Sequence, residues 1–584
     1  MNKQEKIIAI LLGLVLAGWM CHSFFEQKKL AEANARNAVS APAATAPRRA
    51  VEPAVASAPA PAPAVPETAP KPVAPKAPEK LVKLANAEMA LELSSRGATI
   101  RRATMLKYAE KPGAVSDENP ALCLDFSAAP ALALEDLPDV APDADFEIVS
   151  RNDGVVTFRN AFVTRTVALK DGYRVEVEET FAKPSAVANR LSLGGMAMGA
   201  SKNDILSIDS WALDGKKPQV VHHGEEEPLK SYLVSSMGGC GGSRNAAGIP
   251  AVSRVDVPGR QDWIAVKSRF FVTALAACSE PNTGFRATMA RDTAKTEYAL
   301  RNVAAAAAFA GLPAKRTYTL YVGPKKQSLL WDLGMKDVME FGMWRWLCYP
   351  LVWVLNLFNS LIPNYGVAII LLTVLVRLLF WPLTHKSTVG MRKMQEIQPL
   401  MKEIQRKFKD NPQRLQQETM MLYREHKVNP LSSCLPMLVQ IPVFIALFTV
   451  LRSAVELRYA PFLWIADLSE PEALFASWFP FGGLNILPLA MAGLTMLQSA
   501  FTPSSGDNKQ QQMMMVMMPL MMLFMFYNFP SALSLYWALS TAFGVAQSWW
   551  IKRRYGTPVR KTKDGVVEPD AVEMPVSRQM RRHG

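Results

Sequence analysis

The hydrophobic pattern of the chain changes three times along its length. Residues 31–80 are mostly Ala, Pro and Val with scattered charges and no periodicity. Such a segment buries no core, so an extended tether is expected. From Leu81 to about Pro324 short runs alternate apolar and polar residues, among them Val155-Val156-Thr157-Phe158-Arg159, Tyr173-Arg174-Val175-Glu176-Val177, Phe270–Leu275 and Tyr318–Val322. A period of two with turn residues between the runs predicts strands, and this many predict a β-sandwich rather than an α/β enzyme. Beyond them lie long apolar runs at Tyr365–Leu383, Leu431–Leu451, Leu484–Phe501, Met513–Phe529 and Ala532–Ile551. With Ile7–Phe25, which follows Lys3 and Lys6, they predict six membrane spans. Gly18 is followed by Trp19, Met20 and Cys21 rather than the small residues of a cleavage site, so the first run is expected to stay as an anchor.

Two further elements follow from the pattern. Trp331 to Leu361 carries Trp331, Trp344, Trp346 and Trp353 among apolar residues, the composition of an element lying at a membrane interface. Pro363-Asn364 then interrupts it, although one long kinked helix into the next run stays open as an alternative. Thr384 to Asn429 places Met394, Ile397, Leu400, Met401, Ile404 and Phe408 at helical spacing. It turns at Asp410-Asn411-Pro412 and resumes with Leu415, Met420, Leu422 and Tyr423, which predicts a helical hairpin. The expected organisation is an anchor (1–30), a linker (31–80), a β domain (81–325) and an interfacial segment (331–362). A five-helix core (363–552) containing the hairpin (384–429) and a basic tail (553–584) complete it.

Composition supports a mixed protein. The hydrophobic share is 49% with 29 Met and 13 Trp among 584 residues, yet the mean hydropathy is only +0.06. A formal net charge of +14 points to acidic partners, either lipid or nucleic acid. The bases gather in the hairpin (Lys386, Arg392, Lys393, Lys402, Arg406, Lys407, Lys409, Arg414, Arg424, Lys427) and in the tail from Lys552. That distribution puts the hairpin and both termini in the cytoplasm. Whether the hairpin is only an orientation signal or also a docking surface stays open. The six cysteines are scattered, so neither a metal site nor a disulfide framework is expected. Gly238 to Ser243 lacks the Lys-Ser/Thr ending of a phosphate loop, and His222-His223 has no third ligand nearby. No metal or cofactor is expected.

The one anomaly in the apolar runs is Arg377. A guanidinium at the bilayer centre costs roughly 2.5–3.5 kcal/mol on insertion scales, and Arg does not escape the cost by losing its proton. The predicted spans contain no clear Asp or Glu, which leaves neither an ion-pair partner nor a proton relay for a coupled transporter. Uncharged polar residues remain: Thr373 one turn earlier, Gln440, Gln498, Ser499, Ser534, Ser540, Thr541 and Gln547. For Arg377 and Gln440 a polar groove is the favoured reading, whereas Ser and Thr singly are more often helix-packing residues.

Several motifs now stand in order. They are Arg377 in a span ending at Pro382, the basic hairpin ending Lys427-Val428-Asn429-Pro430, and Leu435-Pro436 followed by Gln440-Ile441-Pro442-Val443-Phe444. Val455-Glu456-Leu457-Arg458 and Phe529-Pro530-Ser531-Ala532-Leu533 complete the set. From about Met343 to Tyr555 the chain closely resembles the YidC/Oxa/Alb family of membrane insertases. Its anchor, linker and β-rich domain are similar to the Gram-negative form. The resemblance implies a multi-span α-helical inner-membrane protein with a periplasmic β-supersandwich and a cytoplasmic hairpin. It implies insertion and folding of nascent membrane proteins without ATP, alone or with the Sec translocon, by a chain that is not an enzyme. It carries Arg377, Thr373, Gln440, Tyr536 and Trp537 over as groove residues, although relatives bear Tyr where this chain has Trp537. It also implies, more weakly, contacts of the hairpin and tail with the signal recognition particle, its receptor and the ribosome, with membrane lipid as surroundings and no DNA. A small-solute transporter and an anchored periplasmic carbohydrate-binding protein are the alternative functions.

Overall fold

The computed structural model describes residues 78–138, 140–197, 206–214, 217–224, 251–293, 300–409, 411–426, 428, 435–475, 483–501, 517, 519–555, 560–561 and 567–568. The anchor, nearly all of the linker, the glycine stretch around Cys240 and most of the tail lie outside the described residues. All described residues belong to one compact unit, Pro75–Gly584.

Between Leu81 and Pro324 the described residues form two antiparallel nine-stranded sheets. One runs from an edge at Leu81–Ala85 to an edge at Val252–Pro258, the other from Lys217–Gly224 to Glu147–Asn152. Val155–Arg159 is a strand, and the other three quoted runs fall in Arg174–Phe181, Phe271–Cys278 and Lys315–Pro324. Tyr173 sits just before its strand at φ 63°, because it and Gly172 (φ 71°) reverse the chain there. Alternation does the packing: in Arg174–Phe181, Val175, Val177, Glu179 and Phe181 face inward while their neighbours face out.

That parity buries a carboxylate. Glu179 lies directly opposite Arg165 on one neighbouring strand and Arg316 on the other, and all three are fully buried. Arg165 donates from Nε (2.9 Å) and NH2 (2.7 Å) to Glu179 Oε1, and Arg316 from Nε (2.9 Å) and NH2 (2.6 Å) to Oε2. Tyr318 Oη donates to Oε1 at 2.9 Å. The remaining guanidinium donors cross to the facing sheet, Arg165 NH1 to the Gly97 and Ala98 carbonyls and Arg316 NH1 to Asn189 Oδ1. One ion cluster therefore ties the two sheets together. Burial alone would raise the Glu179 pKa, but the two guanidiniums outweigh it and hold the carboxyl below its usual range.

The remainder is helical: α1 (Gln327–Asp332), α2 (Arg345–Leu361), α3 (Tyr365–Glu396), α4 (Gln398–Lys407), α5 (Pro412–Glu425), α6 (Leu435–Ser453), α7 (Ile486–Phe501) and α8 (Ser531–Tyr555). The long-kinked-helix alternative fails, because Ile362 is extended and Asn364 Oδ1 accepts from Val367 N to begin α3 afresh. The boundary expected at Pro382–Thr384 also needs correction. α3 runs on through Pro382 to Glu396, so the span and the first part of the hairpin are one helix. The helix gives up the bond that a Pro382 N–H would make to the Leu378 carbonyl, and just beyond it Thr384 Oγ1 shares its proton between the Phe380 and Trp381 carbonyls at 3.1 Å. α4 and α5 form the hairpin proper, with Asn411 capping α5 and Ile397, Met401, Leu422 and Val428 buried between its arms. Met420, expected on the inner face, is exposed.

Among the described residues one segment, Tyr365–Gly390, is long and apolar enough to cross a membrane. Gln440–Ser453 and Ile486–Gln498 are apolar but shorter. α8 is long enough, but Ser534, Ser540, Thr541 and Gln547 lower its hydropathy. Ile7–Phe25 and part of Met513–Phe529 lie outside the described residues.

The sheets and helices meet at a polar joint. Arg269, at the start of a strand, donates to the Arg452 carbonyl at the end of α6, to the Glu470 carboxylate and to the Ser469 carbonyl. The Glu470 carbonyl in turn accepts from Ser531 N and Oγ at the start of α8. Arg458 and Tyr459 donate back to the Ala109 and Glu110 carbonyls of the β domain.

Glu179→Gln leaves two buried guanidiniums sharing a neutral amide. Breaking such a cluster costs about 3–5 kcal/mol, which thermal melting of the full-length protein in micelles reads as an early transition of the β domain. The folded-state pKa of Glu179 is depressed, so its stabilisation is present above the unfolded value of about 4.3 and is lost as pH falls through the lower native value. The variant should lack that acid-dependent loss.

Candidate functional site

Arg377 sits midway along the apolar part of α3 and faces α8. Its Nε donates to Ser540 Oγ at 2.9 Å, and NH2 shares the same hydroxyl. Seven residues further along each helix, Gln547 Nε2 donates to Thr384 Oγ1 at 3.3 Å. The offset between partners is 163 residues in both contacts. A constant offset means that α3 and α8 run parallel, presenting Thr373–Arg377–Trp381–Thr384 to Tyr536–Ser540–Phe543–Gln547 at heptad-like spacing. Between them Val374, Arg377, Leu378, Trp381, Phe543 and Gln547 line a cleft of about 60 Å³. Among the described residues no carboxylate lies within ion-pair distance of Arg377, whose guanidinium is solvated by a neutral hydroxyl.

The other expected site residues divide. Gln440, on α6, donates from Nε2 to Tyr536 Oη at 2.8 Å, and Tyr536 stands one turn before Ser540 on α8. Gln440, Tyr536, Ser540 and Arg377 thus form a polar array across α6, α8 and α3. Thr373 is buried on α3 with its hydroxyl donated to the Ile369 carbonyl at 2.7 Å, a within-helix bond. Trp537 is not part of the array. Its ring packs edge-on against Phe444 (centroids 4.8 Å apart) and beside Phe526 (5.3 Å). A residue next to Tyr536 on a helix points about 100° away, so α8 gives Tyr536 to the polar side and Trp537 to an aromatic core. No cluster of His, Cys, Asp or Glu suited to a metal occurs among the described residues.

The sequence named Ser540 only as one of several polar neighbours, although it is the residue that holds the cation. The signal lay in spacing, since Tyr536, Ser540 and Gln547 repeat at four and seven residues, as Thr373, Arg377 and Thr384 do on α3.

A β-sandwich joined to apolar helices that hold a cation with no counter-charge among the described residues is the arrangement of a membrane-embedded protein with an outlying β domain. The profile of the 60Kd inner membrane protein family matches residues 357–558, and that of the YidC periplasmic domain matches residues 155–354. A membrane protein insertase YidC of Prosthecochloris aestuarii is 30% identical over 504 residues, covering 82% of this chain and 84% of the relative. The one from Syntrophobacter fumaroxidans is 42% identical over 301 residues, a match that spans 50% of this chain and about half (53%) of that relative. A crystal structure of an active YidC insertase aligns over 81% of this chain and 93% of its own at 18% identity, with a TM-score of 0.34. The family assignment rests on the sequence relatives. The chain belongs to the YidC family of inner-membrane proteins and is a membrane protein insertase rather than an enzyme. The solute-transporter and carbohydrate-binding alternatives find no support among these relatives.

Tyr536→Phe leaves the Gln440 amide without its acceptor, whereas Gln440→Leu takes away one partner of the tyrosine hydroxyl and leaves it Ser540. Tyr536→Phe should cost about 1–3 kcal/mol for the unmatched amide, Gln440→Leu less, and the double variant less than the sum. Melting of all four full-length proteins in the same micelles measures that coupling.

Proposed function

We propose that Arg377 draws the acidic, hydrophilic segment of a nascent membrane protein into the cleft between α3 and α8. A substrate carboxylate takes over the guanidinium from the Ser540 hydroxyl. A charge-assisted hydrogen bond replaces a weaker one, so the exchange is favourable once the carboxylate has shed its water. The observation that carries this reading is the company Arg377 keeps: a serine hydroxyl, and no carboxylate within ion-pair distance among the described residues. Holding part of the polar segment at that depth shortens the path it has still to cross. Partitioning of the substrate's apolar segment into lipid completes insertion, aided by a membrane potential that favours outward movement of negative charge. Thr373, Gln440, Tyr536 and Trp537 flank the sliding substrate helix, with Trp537 contributing through the aromatic wall it packs into rather than by direct contact.

In this reading the chain crosses the membrane six times with both termini in the cytoplasm. The parallel course of α3 and α8 supports the same direction of crossing for both. The β domain then lies in the periplasm and the basic hairpin in the cytoplasm, where it faces the signal recognition particle, its receptor and the ribosome. The Sec translocon is a partner in the folding of other membrane proteins.

An Arg377 series tests the mechanism in vesicles with two substrates that differ only in the charge of the translocated tail. Arg377→Lys should keep most of the activity. Arg377→Ala should lower insertion of the acidic-tailed substrate about tenfold, the equivalent of ~1.4 kcal/mol, while sparing the uncharged one. Equal performance of Ala and Arg on the acidic tail would remove charge attraction from the mechanism.

A further inference from the structure

The loop between α6 and α7 contains a tight turn whose sides are closed by Phe462 N to the Ile465 carbonyl (2.9 Å) and Ile465 N to the Phe462 carbonyl (2.8 Å). Phe462 and Ile465 are buried, whereas Leu463 and Trp464 at the tip are 75% and 47% exposed. Leu463 holds a φ of 52°, a region that L residues with a large side chain seldom adopt. A large aliphatic residue in that conformation and facing outward is not what a turn in water selects, where Gly or Asn would serve. Trp464 Nε1 donates to Glu472 Oε1 at 2.7 Å, and Glu472 Oε2 accepts from Leu487 N in the first turn of α7. The only polar atom of the indole is thereby satisfied inside the protein, and its carbon face needs no water.

The depth of this tip is pinned to α3. A Cβ on Gly366 would lie 2.1 Å from the Phe462 ring, so the turn seats directly on the first turn of that helix, where only glycine leaves room. We infer that Leu463 and Trp464 form a foot that inserts into the outer headgroup–acyl boundary of the bilayer and fixes the depth of Arg377. Arg377 lies eleven residues beyond Gly366, about 16 Å along the helix at 1.5 Å per residue. That is half of a hydrocarbon core about 30 Å thick, so a foot held at the interface keeps the guanidinium at the bilayer centre. Tryptophan is a favoured residue at that boundary, and leucine beside it adds apolar area. The inference rests on α3 crossing the membrane but not on how substrate binds.

Site-directed spin labelling of the full-length protein tests it, in phosphatidylethanolamine–phosphatidylglycerol vesicles with the cysteines other than buried Cys348 changed to serine. Single labels go at Leu463→Cys, at Leu379→Cys on the exposed side of α3, and at Glu118→Cys on the surface of the β domain. The Leu463 label should be relaxed several-fold more by oxygen than by a water-soluble nickel chelate, with a ratio between those of the other two sites. A Leu463 ratio equal to that at Glu118 while Leu379 reads as lipid would overturn the foot and leave the span intact. Protection from both reagents would also overturn it, by showing protein rather than lipid over the tip. A Leu379 label that reads as aqueous removes the span and the foot together.

Discussion

A guanidinium cannot shed its proton, and in this chain one stands near the middle of the longest apolar helix. Everything around it is arranged to make that charge tolerable without cancelling it. α8 runs parallel to α3 with its hydroxyl-bearing face turned inward, so Ser540 meets Arg377 and, seven residues on, Gln547 meets Thr384. Gln440 from α6 holds Tyr536 one turn away. A carboxylate in place of Ser540 would solvate the cation better and would also close it to any incoming acid, so the hydroxyl is the partner compatible with an exchange.

That geometry depends on where α8 begins, and the β domain bears on this. The Glu470 residue whose carboxylate accepts from Arg269 gives its carbonyl to Ser531, the first residue of α8, while the Leu468 carbonyl accepts from Ala532 N. Arg269 also takes the carbonyl of Arg452 as α6 ends. One arginine outside the apolar region thus fixes the ends of two helices that carry Tyr536, Ser540 and Gln440. The outer domain is linked to the polar array through a few strong, directional bonds. A purely apolar contact would tolerate small sliding, but three directed bonds from one guanidinium, one of them to a carboxylate, do not.

Legibility in the sequence followed periodicity. The strands were readable because one face of each is buried, and the hairpin because its apolar residues recur at helical spacing. The continuous α3 was not readable, because an internal proline reads as a stop signal although a helix carries on through it by giving up one backbone hydrogen bond. Arg377 was legible as an anomaly, whereas its partner was hidden among eight candidates of similar chemistry. Trp537 came with Tyr536 as an aromatic pair implied by the family resemblance, and because a helix puts neighbours on different faces its ring packs against Phe444 and Phe526 while Tyr536 meets Gln440. Glu179 drew no attention, although the alternation Val175, Val177, Glu179, Phe181 already assigned it to the inside.

The buried arginines of the β domain and the half-buried Arg377 explain each other. In the β domain Arg165 and Arg316 are both matched to Glu179, every guanidinium nitrogen has a partner, and the cluster is a static bridge between sheets. In the helical region the same side chain faces only neutral oxygen. Low polarity strengthens any ion pair that forms there, so a built-in carboxylate would lock the site as firmly as Glu179 locks the sheets. In the proposed topology the depth of Arg377 would work to the same end: near either surface water would screen it, and at the centre its attraction for a passing acid would be greatest while its hydroxyl partner stays easy to leave. Under the proposed mechanism, an insertase has need of a charge held in that condition, strong toward a substrate and weakly bound at rest.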